Sequence, residues 1–474
     1  MTAELRDYQV EPAMHALELF AERRKIADAS EMGTGKTYVA CWLAAQMEVP
    51  MFVVCPKIVV GPWKEVAEEF GVEMLGACTY GKVINGFEPY VTVEKSGKKK
   101  IFEWHLPDDA LIVFDEAQNL KNPESQSAKV ALKSSVGNRH YVLLASGTLA
   151  IDPTEMYVTG YLLGLHRLSN FRQWCKEHGC ELVDSFYTRS GKVLEYKQSS
   201  NGVRKIHDAL FPSRGIRIRK RDIPNFPSRN VEVVAISTED ENKQRSIWRE
   251  MEEELNELAR KELEDGEEPD PWTAVLRARQ RAELGKVPYL EEMVRDAHRE
   301  GYVCPVFVNF TATIEALAKR FETDCIVGSP ANDEQRERSI SDFQSGKSPI
   351  ILVNTKAGGV GLSLHDVHGL APRMSFISPT FSAVELVQCI DRIHRSGSHS
   401  PAEVRLVFLE SGVEKKVCQK VKRKIGNLHK INDGDLQKPY ELAINGSRTS
   451  TKRAVDIEGE FESNGDLLDT FFKI

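Results

Sequence analysis

Short runs made up almost entirely of apolar residues recur along this chain, and amphipathic segments of helical length separate them. Turn-forming residues bound each run, as is typical of strands that are buried on both faces of a sheet. Connections of helical length between such strands indicate crossovers in a parallel sheet. The pattern therefore predicts an α/β fold. The runs are 52–55, 111–114 and 141–144 in the first third of the chain, and 305–308, 350–353 and 405–409 after residue 300.

The two groups of runs predict two parallel-sheet lobes in tandem with a helical region between them. A chain of 474 residues is long for one hydrophobic core. The charged middle section has helical periodicity and an acidic, proline-bearing break at 264–271, which favours a linker of helices over a third core. Residues 82–105 are typical of an inserted hairpin. The expected segments are an N-terminal lobe over 1–238, a helical linker or protrusion over 239–300, a C-terminal lobe over 301–440 and a tail over 441–474.

A glycine-rich loop, SEMGTGKT at 30–37, precedes an amphipathic helical pattern. Gly33 and Gly35 allow backbone N–H groups to curl around phosphate oxygens, and the N-terminus of the helix adds a partial positive charge. Lys36 can neutralise the β- and γ-phosphates, and the Thr37 hydroxyl can hold a magnesium ion. The loop therefore indicates a nucleotide phosphate site.

Taken alone, this loop is also compatible with an ordinary turn, because Ala29 or Ser30 stands where the G-x-x-x-x-G-K-[ST] pattern has its first glycine. An acidic pair strengthens the nucleotide interpretation. Asp115 and Glu116 follow the run 111–114, and a carboxylate at the carboxyl end of a parallel strand can meet a phosphate loop at the same sheet edge. Asp115 would coordinate Mg²⁺, and Glu116 would orient and deprotonate the attacking water.

The second lobe has a cationic pattern that complements this site. A glycine-rich loop, 355–362, follows the run 350–353, and Arg392 and Arg395 lie at i, i+3 spacing on a predicted helix. Phosphoryl transfer requires positive charge at the γ-phosphate, which an arginine finger supplies. Because these arginines lie in a different lobe from Lys36, we expect hydrolysis to require closure of the two lobes, as in a motor.

Composition argues against a membrane span and against a globally basic surface. The net charge is −7 and the isoelectric point is about 6.0, so any surface for nucleic acid must be local. Basic runs at 95–100, 214–221 and 415–424 are candidates, and a solvated face explains each of them equally well. No apolar stretch approaches the roughly 20 residues that span a bilayer. The N-terminus is too polar for a signal peptide.

Two further features each have two interpretations. Nine cysteines without a paired framework suit a reducing compartment. Cys175, His178 and Cys180, with His166 upstream, have part of the spacing of a zinc site, but no second ligand pair is evident, so ordinary buried thiols are favoured. The Ser-Gly-Thr segment at 146–148 is either a plain turn or an element that couples nucleotide state to the interface between the lobes.

The motifs occur in an order that resembles the superfamily-two helicases, and within them the Swi/Snf-type ATPases, over nearly all of residues 1–430. These motifs are LR-x-YQ at 5–9, EMGTGKT at 31–37, VVCPK at 53–57 with Trp63, DEAQ at 115–118, NLKN at 119–122, SGT at 146–148, KAGGVGL at 356–362 and Q-x-x-DRIHR at 388–395. Weaker signatures between them are similar to the SMARCAL-type annealing helicases. They are FRQWC at 171–175, IRKRD at 218–222 with Pro227, and R-Q-x-x-x-x-GKV at 279–287.

The resemblance implies two RecA-like lobes that use ATP and Mg²⁺ and that travel along duplex DNA. It implies that Gln9 reads the adenine, with Arg6 or Tyr8 beside the base. The catalytic residues that it implies are Lys36, Asp115, Glu116, Arg392 and Arg395, with Thr37 and Asp115 on the metal. The other nucleotide-binding positions are Met32, Gly33, Thr34, Gly35, Gly361 and Gln388, and the positions along the DNA backbone are Lys57, Thr355 and Lys356. Two departures bear on coupling: Gln118 stands in place of the usual histidine, and Ser396-Gly397-Ser398 in place of the usual Ile-Gly-Gln.

We therefore expect a DNA-dependent ATPase that remodels branched or duplex DNA, by annealing or fork regression, in replication, recombination or repair. The alternatives are a motor that displaces proteins from DNA or regulates transcription, and a nucleotide-gated DNA-binding adaptor with little turnover. We expect a minimal viral or prokaryotic form that is monomeric and not secreted. Its place would be the nucleoid of a bacterial or phage-infected cell, or the nucleus if the host is eukaryotic.

The tail has a segment with a separate interpretation. Leu468, Phe471 and Phe472 resemble a peptide that binds a sliding clamp, in which an apolar residue and an aromatic pair enter a surface groove. Docking of the same side chains on the protein's own surface is the alternative.

Overall fold

Two six-stranded parallel sheets organise the chain in its computed structural model. The structure describes residues 4–97, 99–184, 192–197, 200–236, 271–328, 332–358, 362–409 and 413–433. Each sheet lies in its own unit: residues up to 226 together with 424–433 belong to the first unit, and residues 227–423 belong to the second. The prediction of two parallel-sheet α/β lobes is confirmed.

The first sheet has the strand order β10-β1-β7-β6-β2-β3, and all of its pairings are parallel. The strands of this unit are β1 Lys25–Asp28, β2 Met51–Cys55, β3 Met74–Thr79, β4 Val91–Ser96, β5 Lys99–Trp104, β6 Leu111–Asp115, β7 Tyr141–Ala145, β8 Cys180–Asp184, β9 Lys192–Tyr196 and β10 Gly215–Ile216. Its helices are α1 Asp7–Glu22, α2 Lys36–Met47, α3 Val60–Glu69, α4 Tyr80–Val83, α5 Gln126–Lys133, α6 Tyr157–Leu162, α7 Phe171–Glu177 and α8 Gly202–Leu210.

The apolar runs are central strands because both faces of the sheet are covered. Along β2, Phe52 and Val54 pack into the core on one face, and Met51 and Val53 pack into the core on the other. All four side chains are fully buried. Burial of one such side chain contributes about 1.5–3 kcal/mol to the free energy of folding. Strands with apolar residues at every position therefore gain this stability in full only where both faces of the sheet are covered.

The inserted hairpin is also confirmed. Strands β4 and β5 pair antiparallel, and Gly97 takes a left-handed conformation in the turn (φ 60°). The Trp104 indole donates a hydrogen bond of 3.0 Å to Val130 O on α5, which holds the hairpin against that helix.

The second sheet has the strand order β11-β16-β15-β12-β14-β13, again entirely parallel. Its strands are β11 Arg229–Ile236, β12 Cys304–Val308, β13 Ile326–Val327, β14 Ile350–Asn354, β15 Arg373–Ile377 and β16 Ala402–Leu409. The helices that follow residue 270 are α9 Pro271–Gly285, α10 Val287–Arg299, α11 Thr311–Phe321, α12 Asp333–Gln344, α13 Thr355–Gly358, α14 Ala383–Ile390 and α15 Val413–Asp433.

The structure divides the chain differently from the expected boundaries at 238 and 300. Strand β11 pairs along its whole length with β16, so residues 229–236 belong to the second sheet. The middle section is helical where the structure describes it, as expected. However, the apolar faces of α9 and α10, which include Val275, Leu290 and Val294, lie in the core of the second unit. Because these faces are buried there, residues 271–299 are part of the second lobe and not a separate linker.

A buried ion pair accounts for the lysine in the sequence signature at 279–287. Lys286 is fully buried, and its ammonium group contacts Glu414 Oε1 at 2.7 Å. It also donates to Ser378 Oγ (2.6 Å) and Val407 O (3.1 Å). Burial raises the pKa of Glu414, and the Lys286 charge opposes that rise. The lysine therefore holds the start of α15 against the carboxyl ends of β15 and β16.

Replacement of Lys286 with Met should reduce the free energy of unfolding of the second unit by about 3–5 kcal/mol, because it leaves Glu414 buried without its cation. Urea unfolding followed by hydrogen exchange in β12 and β14 measures this loss. The matched control is Lys347→Met, which breaks an exposed pair with Asp342 (3.1 Å) and should cost at most about 1 kcal/mol. Equal losses in the two variants would contradict the role of burial.

Candidate nucleotide site

The phosphate loop lies where β1 leads into α2, as its sequence predicts. Gly33 and Gly35 have positive φ angles of 80° and 90°, and α2 begins at Lys36. The φ of Gly35 is one that other residues rarely adopt, and a Cβ there would lie 2.3 Å from Gln9 Nε2, so a substitution would strain the loop and displace the Gln9 amide. Tyr38 N and Val39 N already donate to Gly35 O (3.0 and 3.2 Å), so the N–H groups that precede them at the start of α2 are the ones placed to bind an anion.

The entrance to the loop extends the parallel pairing of β1 with β10. Ala29 N donates to Ile216 O, and Glu31 N donates to Ile218 O, both at 2.9 Å. Ser30, which stands in place of the expected glycine, is fully buried, and its hydroxyl accepts a hydrogen bond from Ile218 N (3.0 Å). The departure from the glycine pattern therefore has a structural reason, since the serine side chain satisfies a backbone donor.

Lys36 points back into the loop. Its ammonium group donates to Ser30 O (2.9 Å) and Glu31 O (3.2 Å), and the Thr34 hydroxyl also donates to Glu31 O (2.8 Å). Backbone carbonyl oxygens thus accept the hydrogen bonds that the Lys36 ammonium group would donate to phosphate oxygens when a nucleotide is bound. A nucleotide would replace weak neutral acceptors with charged ones, which form stronger hydrogen bonds.

Asp115 lies at the carboxyl end of β6, as predicted. Its Oδ2 accepts a hydrogen bond from the Trp63 indole (3.0 Å), and its Oδ1 accepts one from Glu116 N (2.9 Å). Burial raises the pKa of Asp115 to about 6, and the Glu116 charge adds to the rise, whereas the Trp63 hydrogen bond and Lys36 oppose it. A buried carboxylate of this kind favours a nearby cation.

Glu116 belongs to a relay of side chains that the sequence analysis did not foresee. It has a left-handed backbone conformation (φ 54°, ψ 52°), which is uncommon away from glycine and often occurs at functional sites. Gln118 Nε2 donates to Glu116 Oε2 (2.6 Å), and Ser146 Oγ donates to Gln118 Oε1 (2.5 Å). The glutamine in place of histidine thus still connects the acidic motif to the Ser-Gly-Thr segment.

The N-terminal motif contacts the phosphate loop directly. Gln9 is 2 % exposed, and its Nε2 donates to Thr34 O (2.9 Å) and Gly35 O (3.3 Å). Its Oε1 accepts a hydrogen bond from Arg6 N (2.9 Å), and Tyr8 OH donates to Thr34 O (3.3 Å). These contacts bring the predicted adenine-side residues to the loop, and recognition of adenine itself stays a prediction.

The predicted helix that carries both arginines is wrong in its length. Helix α14 contains Gln388 but ends at Ile390, so Arg392 and Arg395 follow it in a turn. The Asp391 carboxylate pairs with Arg229 at the start of β11, and His394 Nε2 lies 2.7 Å from Pro227 O. These contacts join the residues after the helix to the segment at the start of β11.

The two arginines differ in exposure within the second unit. Arg392 is 1 % exposed and donates to Leu362 O (3.3 Å). Arg395 is half-buried and donates to Ser363 Oγ (2.9 Å). Both side chains therefore contact the end of the glycine-rich loop of this lobe or the residue after it.

The positions expected along DNA have different environments. Lys57 and Lys356 are exposed just after β2 and β14. Thr355 is 1 % exposed, and its hydroxyl donates to Val308 O (3.1 Å), so its side chain is not available to a phosphate in this structure. Gly361 and the tail residues Leu468, Phe471 and Phe472 lie outside the described residues.

Two of the features with open alternatives have the following environments. The run 214–221 is largely internal: Lys220 is buried, and Arg217 is 9 % exposed. Cys175 and Cys180 are buried thiols, and the His178 ring stacks on Trp174 at 4.1 Å. Within the described ranges no cluster of three or more His, Cys, Asp or Glu side chains could hold a metal ion.

Sequence reasoning missed Arg217 and Asp433 as site residues. Arg217 Nε and Nη2 donate to the Asp433 carboxylate (2.6 and 3.1 Å), and Nη1 donates to Ala29 O at the entrance to the phosphate loop. The alternation of Ile216 and Ile218 around Arg217 is the signal of a buried strand that could have revealed it. Asp433, more than 200 residues away, gives no local signal.

Comparison with known proteins finds similarity to helicases and to SWI/SNF-related ATPases. The helicase conserved C-terminal domain matches residues 285–397. A protein of Acanthamoeba polyphaga mimivirus, provisionally named an ATP-dependent RNA helicase, is 26 % identical over 96 % of this chain and 88 % of its own length. The ISWI chromatin-remodeling complex ATPase ISW1 of Saccharomyces cerevisiae is 24 % identical over 99 % of this chain. A Caenorhabditis elegans SWI/SNF-related subfamily A-like protein 1 homologue is also 24 % identical, over 90 % of this chain.

The chain is therefore homologous to the SWI/SNF- and ISWI-type ATPases and carries a helicase C-terminal domain. It spans only 43 % of the yeast protein and 61 % of the nematode protein. Among solved structures, the Sulfolobus solfataricus SWI2/SNF2 ATPase core in complex with double-stranded DNA matches 91 % of this chain and 98 % of that one, at 17 % identity and a TM-score of 0.36. In the part of the chain that the structure describes, no helix is long and apolar enough to cross a bilayer.

Replacement of Trp63 with Phe tests the Asp115 site. The change keeps the aromatic packing but removes the indole donor that orients the Asp115 carboxylate and helps to keep it ionised. The concentration of Mg²⁺ needed for half-maximal ATP hydrolysis should therefore rise about tenfold, the size of one hydrogen bond to a charged group. A magnesium titration of ATPase rate measures it. Trp42→Phe on α2 is the control and should leave the titration unchanged; an equal shift in both variants would contradict the role of the indole.

Proposed function

We propose that this protein is a nucleic-acid-dependent ATPase that moves along duplex or branched DNA and remodels it. The observation that carries the proposal is the half-site in the first lobe, where Lys36, Asp115 and Glu116 converge on the carboxyl edge of one parallel sheet. Homology to SWI/SNF- and ISWI-type ATPases supports the same reaction class.

The residues of the first lobe suit phosphoryl transfer to water. The loop amides and Lys36 would bind the phosphates, and Glu116 would orient the attacking water and accept its proton. Thr37 and Asp115 would hold Mg²⁺, which usually binds one or two protein oxygens together with substrate phosphates. The magnesium ion, when bound, would neutralise charge on those phosphates. The buried carboxylate of Asp115, with its raised pKa, fits a cation partner.

The second lobe would complete the reaction. Arg392 and Arg395 are the candidates for stabilising charge on the transferred phosphoryl group. Because they belong to the second lobe, we propose that hydrolysis requires the lobes to close around the nucleotide, so that each turnover changes the grip on nucleic acid. Exposed Lys57 and Lys356 would neutralise backbone phosphates, which gives binding that depends on salt but not on sequence.

Duplex RNA is the second candidate substrate, since the mimivirus relative is named as an RNA helicase. We favour DNA because the motif order resembles the Swi/Snf type throughout. Annealing and fork regression in replication, recombination or repair remain the proposed roles. Displacement of proteins from DNA and a slow, nucleotide-gated adaptor are the alternatives, and a Glu116→Gln variant that binds and acts like wild type would favour the adaptor.

Binding to a sliding clamp through Leu468, Phe471 and Phe472, a monomeric state and a place beside the host nucleoid are further proposals. Removal of residues 463–474 should abolish clamp association without changing ATPase activity. Unchanged association would exclude the peptide.

The ATPase rate compared across nucleic acids tests the main proposal. We expect duplex, forked or four-way DNA to stimulate hydrolysis about tenfold or more over single-stranded DNA and duplex RNA. Lys36→Ala should reduce the stimulated rate by at least about 100-fold, since it removes charge stabilisation of roughly 3 kcal/mol from the transition state. Lys64→Ala, on the neighbouring helix α3, is the matched control.

Three outcomes would contradict the proposal. A rate that no nucleic acid changes would exclude a nucleic-acid motor. Stronger stimulation by duplex RNA than by any DNA would replace DNA with the second candidate. Full activity in Lys36→Ala would exclude the assigned nucleotide site.

A further inference from the structure

The end of the last described helix lies inside the first unit. Ile431, in the final turn of α15, is fully buried and belongs to the core cluster on one face of the first sheet. Its carbonyl oxygen lies 2.9 Å from His207 Nδ1. Residues 431–433 are thus an integral part of the lobe that carries the phosphate loop, although almost 400 residues separate them in sequence.

Asp433 reaches the phosphate loop through Arg217. The carboxylate of Asp433 is 3 % exposed and accepts hydrogen bonds from both Nε and Nη2 of Arg217, while Nη1 of Arg217 donates to Ala29 O. A planar guanidinium can make all three contacts only in one orientation. The pair therefore sets the position of the backbone just before Ser30.

Without Asp433, Arg217 would have other acidic partners nearby. Glu31 Oε1 lies 3.7 Å from Arg217 Nη2. The Oδ2 atom of Asp28 is buried and, among the described residues, has no hydrogen-bond partner. Because a buried guanidinium strongly favours a carboxylate partner, loss of Asp433 should draw Arg217 towards these groups and away from Ala29 O.

Asn432 forms a second contact, on the side of the water-activating carboxylate. Its Nδ2 donates to Gly147 O (3.0 Å), next to Ser146, which ends the relay from Glu116 and Gln118. Gly147 also lies close to the phosphate loop, as the distance of 3.2 Å between a Cβ built on Gly147 and Ser30 O shows. The final helical turn therefore contacts both the phosphate-binding side and the water-activating side of the site.

We propose that Asp433 and Asn432 are positioning residues of the nucleotide site: Asp433 sets the phosphate loop through Arg217, and Asn432 sets the Glu116 relay through Gly147. This inference rests on the proposed function for its meaning in catalysis. We therefore expect changes at Asp433 to alter nucleotide affinity and changes at Asn432 to alter the turnover rate.

The experiment uses the full chain with three variants and one control. The variants are Asp433→Asn, the double variant Arg217→Gln with Asp433→Asn, and Asn432→Ala. The control is Asp208→Asn, which removes the acid of an exposed pair with Arg204 in the same unit. For each protein we would measure the Kd for mant-ADP with Mg²⁺, the kcat and KM for ATP, and the thermal unfolding midpoint.

Asp433→Asn should raise the Kd for mant-ADP and the KM for ATP about five- to tenfold, the effect of one lost hydrogen bond, with kcat within twofold of wild type. It should also lower the unfolding midpoint. In the double variant neither partner of the Arg217–Asp433 pair is left buried without the other, so the midpoint should recover in part while the Kd stays high, because the contact to Ala29 O is still lost. Asn432→Ala should lower kcat about fivefold with KM within twofold. Asp208→Asn should match wild type.

A purely structural role would give a different result. If Asp433→Asn lowers the midpoint but binds mant-ADP like wild type, or if the double variant restores both properties together, the positioning role of Asp433 is wrong. If Asn432→Ala leaves kcat unchanged, its role is wrong. A wild-type chain that binds mant-ADP but hydrolyses no ATP would overturn the proposed function, whereas the Kd values would still decide the role of Asp433.

Discussion

The nucleotide site of the first lobe depends on one ladder of backbone hydrogen bonds, between the entrance to the phosphate loop and the segment after β10. Residues 28–31 continue the strand pairing into the loop, and Ile216 and Ile218 supply the acceptors. The ladder reaches Glu31, and left-handed conformations begin two residues later, at Gly33. Because a parallel sheet fixes this edge, the direction of the loop amides is set before any nucleotide binds.

Buried negative charge around the ladder gives the site its chemistry. Asp28 is the last residue of β1 and Asp115 is the last residue of β6, and β7 lies between these two strands in the sheet. Burial raises the pKa of each carboxylate. Lys36 lies close enough to both carboxylates to lower their pKa values. A nearby cation stabilises the ionised form of such carboxylates, so the site suits a nucleotide that carries magnesium. Arg217 and Lys36 are the protein's own cations near Asp28, and both lower the pKa of that carboxylate.

Local features of the sequence were predictable, and long-range partners were not. Apolar runs such as 52–55 predict buried strands because both faces of a parallel sheet exclude water, and the glycines of the phosphate loop predict its conformation. The end of α14 at Ile390 was missed because Asp391 pairs with Arg229, a contact that helical periodicity does not contain. Asp433 was missed for the same reason, since its partner is more than 200 residues away.

Hydrogen exchange of the full chain, with and without a slowly hydrolysed ATP analogue and Mg²⁺, tests most directly whether the phosphate loop, the acidic relay and the last helical turn form one site. We expect slower exchange on binding in the peptides that contain residues 30–37, 115–118 and 146–148, and also in the peptide that contains 431–433. Slower exchange in the loop with no change at 431–433 would contradict the single site. No change in any of these peptides would contradict the nucleotide site itself.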